Sequence, residues 1–177
     1  NDLIFLRSQF AIALFGKLGF SGYQAYAYGC SLMLAVCVPL LMAAFQWSLS
    51  YGAIKAFAAA AMLLVPLGYT EYEFMIGQQS HPVQTTLSII GVLAIVRSRK
   101  SAGNFPLAVI FAVSFLIGCD SPLRGALLIS IYLAVLLLVH MAVEISRSTL
   151  GSCSIAVLAG AALGLLAHRR INVEIVG

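Results

Sequence analysis

Apolar runs separated by short polar stretches cover almost the whole chain. Six stand out, at residues 30–45, 53–68, 82–96, 105–118, 126–143 and 151–167. Runs this long with few charges read as membrane-crossing helices. Several fall short of the roughly 20 residues that span hydrocarbon. The fourth, 105–118, is the clearest case, and tilted or inward-dipping segments are the expectation there. The fifth, 126–143, is the cleanest. Residues 1–20 differ, because Arg7 and Lys17 break the apolar pattern and Gly16 and Gly19 weaken its far end. Asp2 is placed to cap a helix starting at Leu3, so residues 3–18 are expected as a helix lying in the membrane interface. Tyr23, Tyr26 and Tyr28 follow as an aromatic cluster suited to headgroup level, and Trp47 marks the opposite interface. The fold class is therefore all-α: a polytopic transmembrane helix bundle of about six spans plus an N-terminal interfacial helix, one transmembrane domain over residues 1–177. The opening Asn1-Asp2 and the closing residues 173–177 read as interior to a longer membrane protein, with at least one span upstream.

Composition supports lipid as the main solvent. Of the 177 residues 62% are hydrophobic and 9% charged, with a mean hydropathy of +1.02. A soluble domain carries about 25% charged residues, so too few polar side chains are present to cover a water-facing surface. The net charge of +4 comes from ten bases against six acids. In a membrane chain such a balance bears on topology first, and the bases form no stripe of the kind that holds nucleic acid. Cys30, Cys37, Cys119 and Cys153 show no metal-ligand spacing and read as small buried hydrophobes.

The bases at 97–100, Arg-Ser-Arg-Lys, are the densest positive cluster and are expected on the cytoplasmic side. Lys55 and Arg147 then fall on that side as well, while Arg7, Lys17, Arg124, Arg169 and Arg170 fall outside. Five bases on each side leave the tight cluster to decide the orientation.

Two polar interruptions open on the outer face in this scheme. Residues 69–82 hold Glu71, Glu73, Gln78, Gln79 and His81; residues 118–124 hold Asp120 and Arg124. Two spans separate them, so they share a side whichever way the chain is oriented, and Asp2 emerges there too. A wet loop is reason enough for Glu71, Gln78, Gln79 and Arg124 to be polar. Glu73, His81 and Asp120 border apolar runs, where an ionisable group needs a reason to stay. Glu and His together suit proton transfer or a divalent cation, which makes Glu73 and His81 a metal-binding pair of low specificity, since a loop must bring them together. Arg124 can hold a phosphate as a bidentate fork or pair with Asp120. His140, deep in the fifth run, reads as a hydrogen-bonded core residue or a proton relay. Glu144 and Arg147 are spaced as a surface pair at a helix end. Gly160 and Gly164 form a GxxxG match in a segment already rich in small residues. Soluble-enzyme motifs such as GxSxG, HExxH and Walker A are absent from the sequence.

The order of these features resembles the membrane-embedded GT-C glycosyltransferases and bacterial multi-spanning proteins of that superfamily. An acid in a first outer segment leads into a helix along the membrane; a polar outer loop with acid and histidine leads into a span; a loop reading Asp-Ser-Pro-Leu follows two spans later. The resemblance covers residues 1–145 and lies in arrangement more than in letters. It implies an integral protein of the bacterial inner membrane that moves a sugar from a polyprenyl-phosphate donor to an acceptor at the outer face. It implies Asp2 as the first-loop acid and Glu71 or Glu73 as the second, with His81 beside it. Asp2, Glu73 and His81 are then catalytic, and Glu71, Gln78, Gln79, Asp120 and Arg124 bind substrate. A divalent ion, Mg2+ or Mn2+, held near Glu73 and His81 would offset phosphate charge. The competing readings are a transporter or channel subunit, in which the acids and His140 line a pathway, and a structural membrane subunit without catalysis.

Overall fold

A computed structural model describes residues 8–64, 81–99, 103–120, 122–143 and 146–176. Within them the regular structure is all α-helix: α1 (Ser8–Lys17), α2 (Gly22–Leu49), α3 (Ala53–Leu64), α4 (His81–Ser98), α5 (Asn104–Asp120), α6 (Pro122–Val143) and α7 (Arg147–Val176). Two stretches, Gly22–Leu49 and Arg147–Arg170, are long and apolar enough to cross a membrane. Ala53–Leu64, Val83–Ser98, Asn104–Asp120 and Ile129–Met141 are shorter apolar helical stretches. Pro82, Pro106 and Pro122 all fall in the first turn of their helices, where a missing N–H costs nothing. By contact the chain divides into two compact units, Ile4–Thr86 and Leu87–Gly177.

The first unit is organised on α2. The aromatic cluster of Tyr23, Tyr26 and Tyr28 lies in the first turns of this helix. Ser21 and Gln24 form a capping box, the Ser21 hydroxyl accepting from the Gln24 N–H while the Gln24 side chain takes the Ser21 N–H. That reciprocal cap starts the helix eight residues earlier than the apolar run alone indicates. Helix α1 folds back on α2 through a turn at Gly19, whose φ of +90° suits glycine. The two backbones approach closely at Gly29, where a Cβ would lie 2.7 Å from the Ile12 nitrogen. Phe15, Phe20 and Tyr28 close the end of this hairpin, with ring centroids 5.1–5.7 Å apart. At the other end of α2, Ser50 takes a left-handed conformation and its N–H caps Gln46. Helix α3 then lays Ala56, Ala60 and Leu64, one face at four-residue spacing, into the unit interior. Ile54, Phe57 and Met62 face outward.

The second unit holds α5, α6 and α7 with most of α4. Helix α7 is polarised against the soluble pattern. Its inward face carries Cys153, Val157, Gly160, Ala161, Gly164 and His168, whereas Ile155, Leu158, Leu163 and Leu166 lie outside. Small residues inside and large aliphatics outside suit a helix solvated by hydrocarbon and packed by close backbone approach. Cys37, Cys119 and Cys153 are buried and Cys30 half-buried, all as free thiols.

Candidate functional site

The site is built by a parallel pair of helices. Gly160 on α7 meets the carbonyl of Phe111 on α5, Gly164 meets that of Phe115, and His168 meets that of Cys119. Both positions advance by four residues together, so α5 and α7 run in the same direction with α6 returning between them. A Cβ at Gly160 would lie 2.5 Å from the Phe111 oxygen, and one at Gly164 would collide with the Phe115 oxygen. The reciprocal approach comes from Gly118, where a Cβ would lie 2.8 Å from the Ala161 oxygen. The GxxxG match therefore has a partner: it lets α7 lie against the carbonyls of α5.

One turn further on the repeat is broken by a histidine. His168 Nδ1 sits 2.7 Å from the Cys119 carbonyl oxygen. Cys119 is among the last residues of α5, whose carbonyls have no N–H ahead of them in the helix, and the imidazole supplies a donor. Asp120 ends the helix. It is 2% exposed and His168 is 7% exposed, so an acid and an imidazole are enclosed at one end of the unit. Arg169 and Arg170 follow on α7 and are exposed.

The expected loop at 118–124 is thus nearly absent. Helix α5 runs through Gly118 to Asp120, a single residue intervenes, and α6 starts at Pro122. Gly118, the expected end of the fourth run, is helical, and its missing side chain leaves the space in which α7 lies. Asp120 is consequently a buried helix terminus and not a residue of a wet loop. Arg124 lies in the first turn of α6 and His81 is the first residue of α4; their side chains are outside the description. Asp2, Glu71, Glu73, Gln78 and Gln79 lie outside the described residues altogether, as does Glu144, the expected partner of Arg147.

The opposite end of the unit carries a second group of charges. Ser98 Oγ donates to the Ile95 carbonyl at 2.7 Å and lies 3.3 Å from Cys153 Sγ, tying the end of α4 to the start of α7. Arg97 and Arg99 flank that contact, and Arg147 opens α7. Fifteen residues of α7 separate Cys153 from His168, about 22 Å of helix. His140 lies in the last turn of α6, toward this basic end, and not deep in the helix.

His168 is the residue that sequence reading passes over. It reads there as the head of the His-Arg-Arg group closing the sixth run. Its spacing from Gly160 and Gly164 places it on the same face as the glycine pair, which was the available signal. Among the described residues no group of three or more His, Cys, Asp or Glu side chains comes together to hold a metal ion. No protein-family model matches the chain, and neither a curated protein nor a solved structure shows a match to it.

Proposed function

We propose that the chain is the membrane core of a GT-C-type glycosyltransferase in a bacterial inner membrane, with about six spans and residues 3–18 along the interface. A sugar passes from a polyprenyl phosphate to an acceptor hydroxyl at the outer face. The acceptor oxygen bonds to the anomeric carbon, its proton goes to a carboxylate, and the bond from that carbon to the phosphate oxygen breaks with inversion. Asp2 or Glu73 takes the proton. Glu71, Gln78, Gln79 and Asp120 hold the substrates, and Arg124 pairs with the leaving phosphate. A divalent cation, Mg2+ or Mn2+, belongs to the same proposal with Glu73 and His81 as its proposed ligands.

The observation that supports this reading is the burial of Asp120 at a bundle end that also holds His168 and two arginines. Enclosing an ionisable carboxyl costs free energy that packing alone does not return, so a bundle that retains one has a use for it. A transporter draws less support. Its ionisable groups belong near mid-depth, and the described helices of the second unit carry theirs toward the ends.

Purified full-length protein in lipid vesicles, supplied with polyprenyl-phosphate sugars and followed by release of polyprenyl phosphate, tests the proposal. Asp120→Asn is expected to lower transfer by about 10- to 100-fold, the scale of one lost hydrogen bond to a charged group. Unchanged transfer by that variant removes Asp120 from the site. Absence of transfer by the unaltered protein from every such donor overturns the reading.

A further inference from the structure

The geometry points to His168 as the residue that positions Asp120, an inference that rests on Asp120 belonging to the proposed site. The chain of contacts is short. The Cys119 carbonyl stands at the end of α5, and His168 Nδ1 meets it at 2.7 Å. A carbonyl only accepts, so Nδ1 carries the hydrogen. The bond fixes the peptide immediately before Asp120, and Asp120 remains the last helical residue of α5, 2% exposed. Without the donor, a buried carbonyl loses its bond, the last turn of α5 opens, and the carboxyl moves with it.

The reach of the imidazole is set one turn earlier. Gly164 faces the Phe115 carbonyl so closely that a methyl group there collides with it and also comes within 2.9 Å of the Cys119 nitrogen. An alanine at 164 pushes α7 away from α5 at the turn that carries His168. Gly164 and His168 therefore act as one device: the glycine sets the helix separation and the histidine uses it. A methyl group one turn away should produce the same defect at Asp120 as loss of the ring.

The test reads the carboxyl directly. Full-length protein in lipid nanodiscs is treated with a water-soluble carbodiimide and an amine, and the rate of modification at position 120 is followed by peptide mass mapping. In the unaltered protein Asp120 is protected. His168→Asn keeps that protection, because the asparagine amide N–H takes the place of Nδ1–H. His168→Leu, which retains bulk and loses the donor, is modified about tenfold faster, the scale of one buried hydrogen bond. Gly164→Ala matches His168→Leu. Protection in His168→Leu equal to that of the unaltered protein overturns the inference, and so does His168→Asn reacting as fast as His168→Leu. Should His168→Leu fail to fold, Gly164→Ala decides: full protection there overturns the inference. Sugar transfer by the unaltered protein is scored separately. The expected labelling pattern without any transfer removes the transferase reading and leaves the positioning role standing.

Discussion

The ring of Tyr132 on α6 fills the space over Gly91 on α4 that a side chain at position 91 would need. Its hydroxyl lies 3.3 Å from the Leu87 carbonyl oxygen and 3.2 Å from that of Ser88, donating between them. Tyr132 is 1% exposed, so a phenol inside an apolar bundle finds its polar partners on a neighbouring backbone. Gly91→Ala is expected to cost about 1–3 kcal/mol by overpacking, and Tyr132→Phe about 1 kcal/mol by loss of the hydroxyl. The double variant should lose somewhat less than the sum, because removing the oxygen relieves the nearest of the contacts a methyl would make, while the ring carbon Cζ stays 2.6 Å away. Unfolding in a denaturing detergent measures all three; strict additivity would mean that the two residues do not meet.

Ser98 and Cys153 offer a covalent check on the second unit. The 3.3 Å separation of their side-chain heteroatoms predicts that Ser98→Cys forms a disulfide with Cys153 on mild oxidation. Cleavage between the two positions followed by non-reducing electrophoresis reads the cross-link. Failure to cross-link under conditions that oxidise other engineered pairs would contradict the placement of α4 against α7.

The two ends of that unit carry a topological expectation. Arg99 is exposed near the Ser98–Cys153 contact, and Ser121 follows Asp120 at the other end. In a cysteine-free background, Arg99→Cys and Ser121→Cys should react with a membrane-impermeant maleimide from opposite sides of a sealed vesicle. Met75→Cys should react from the same side as Ser121→Cys. Labelling of positions 75 and 121 from opposite sides would overturn the six-span scheme.

Helix α7 predicts how substitutions divide between its faces. Val157 is wholly buried, whereas Leu163 is 49% exposed. Val157→Ala should lower stability by about 1–2 kcal/mol through lost packing. Leu163→Ala should change it by less than about 0.5 kcal/mol, since a leucine exposed on the outer face loses little packing when truncated. Equal losses at both positions, measured in lipid nanodiscs, would mean that the outer face of α7 is covered by something other than lipid.

The apolar runs were readable because each is long and nearly free of charge, and each of the six has a helix in its place among the described residues. Their ends were not. The early start of α2 depends on Ser21 and Gln24 exchanging hydrogen bonds, a signal written in two polar residues outside the apolar run. The close approach of α7 at Gly118 comes from residues some forty positions further along, and no pattern within the fourth run records it. Asp120 was legible as a candidate because it borders an apolar run; its burial was not. His168 escaped notice because a histidine followed by two arginines resembles a charged flank, and its use as a donor appears only once the register of α5 on α7 is set.

That register has a consequence for how the protein is made. Cys119 and His168 are 49 positions apart, and synthesis proceeds at about 5–20 residues per second. Helix α5 therefore leaves the ribosome several seconds before the glycine face that will cover it. During that interval Ser114 and Gly118 have no permanent cover, and nascent chains are most exposed to quality-control proteases or to pairing with the wrong helix. A stop codon anywhere between α6 and Gly164 leaves α5 in that state permanently, so truncated chains should be cleared from the cell far faster than chains that reach His168.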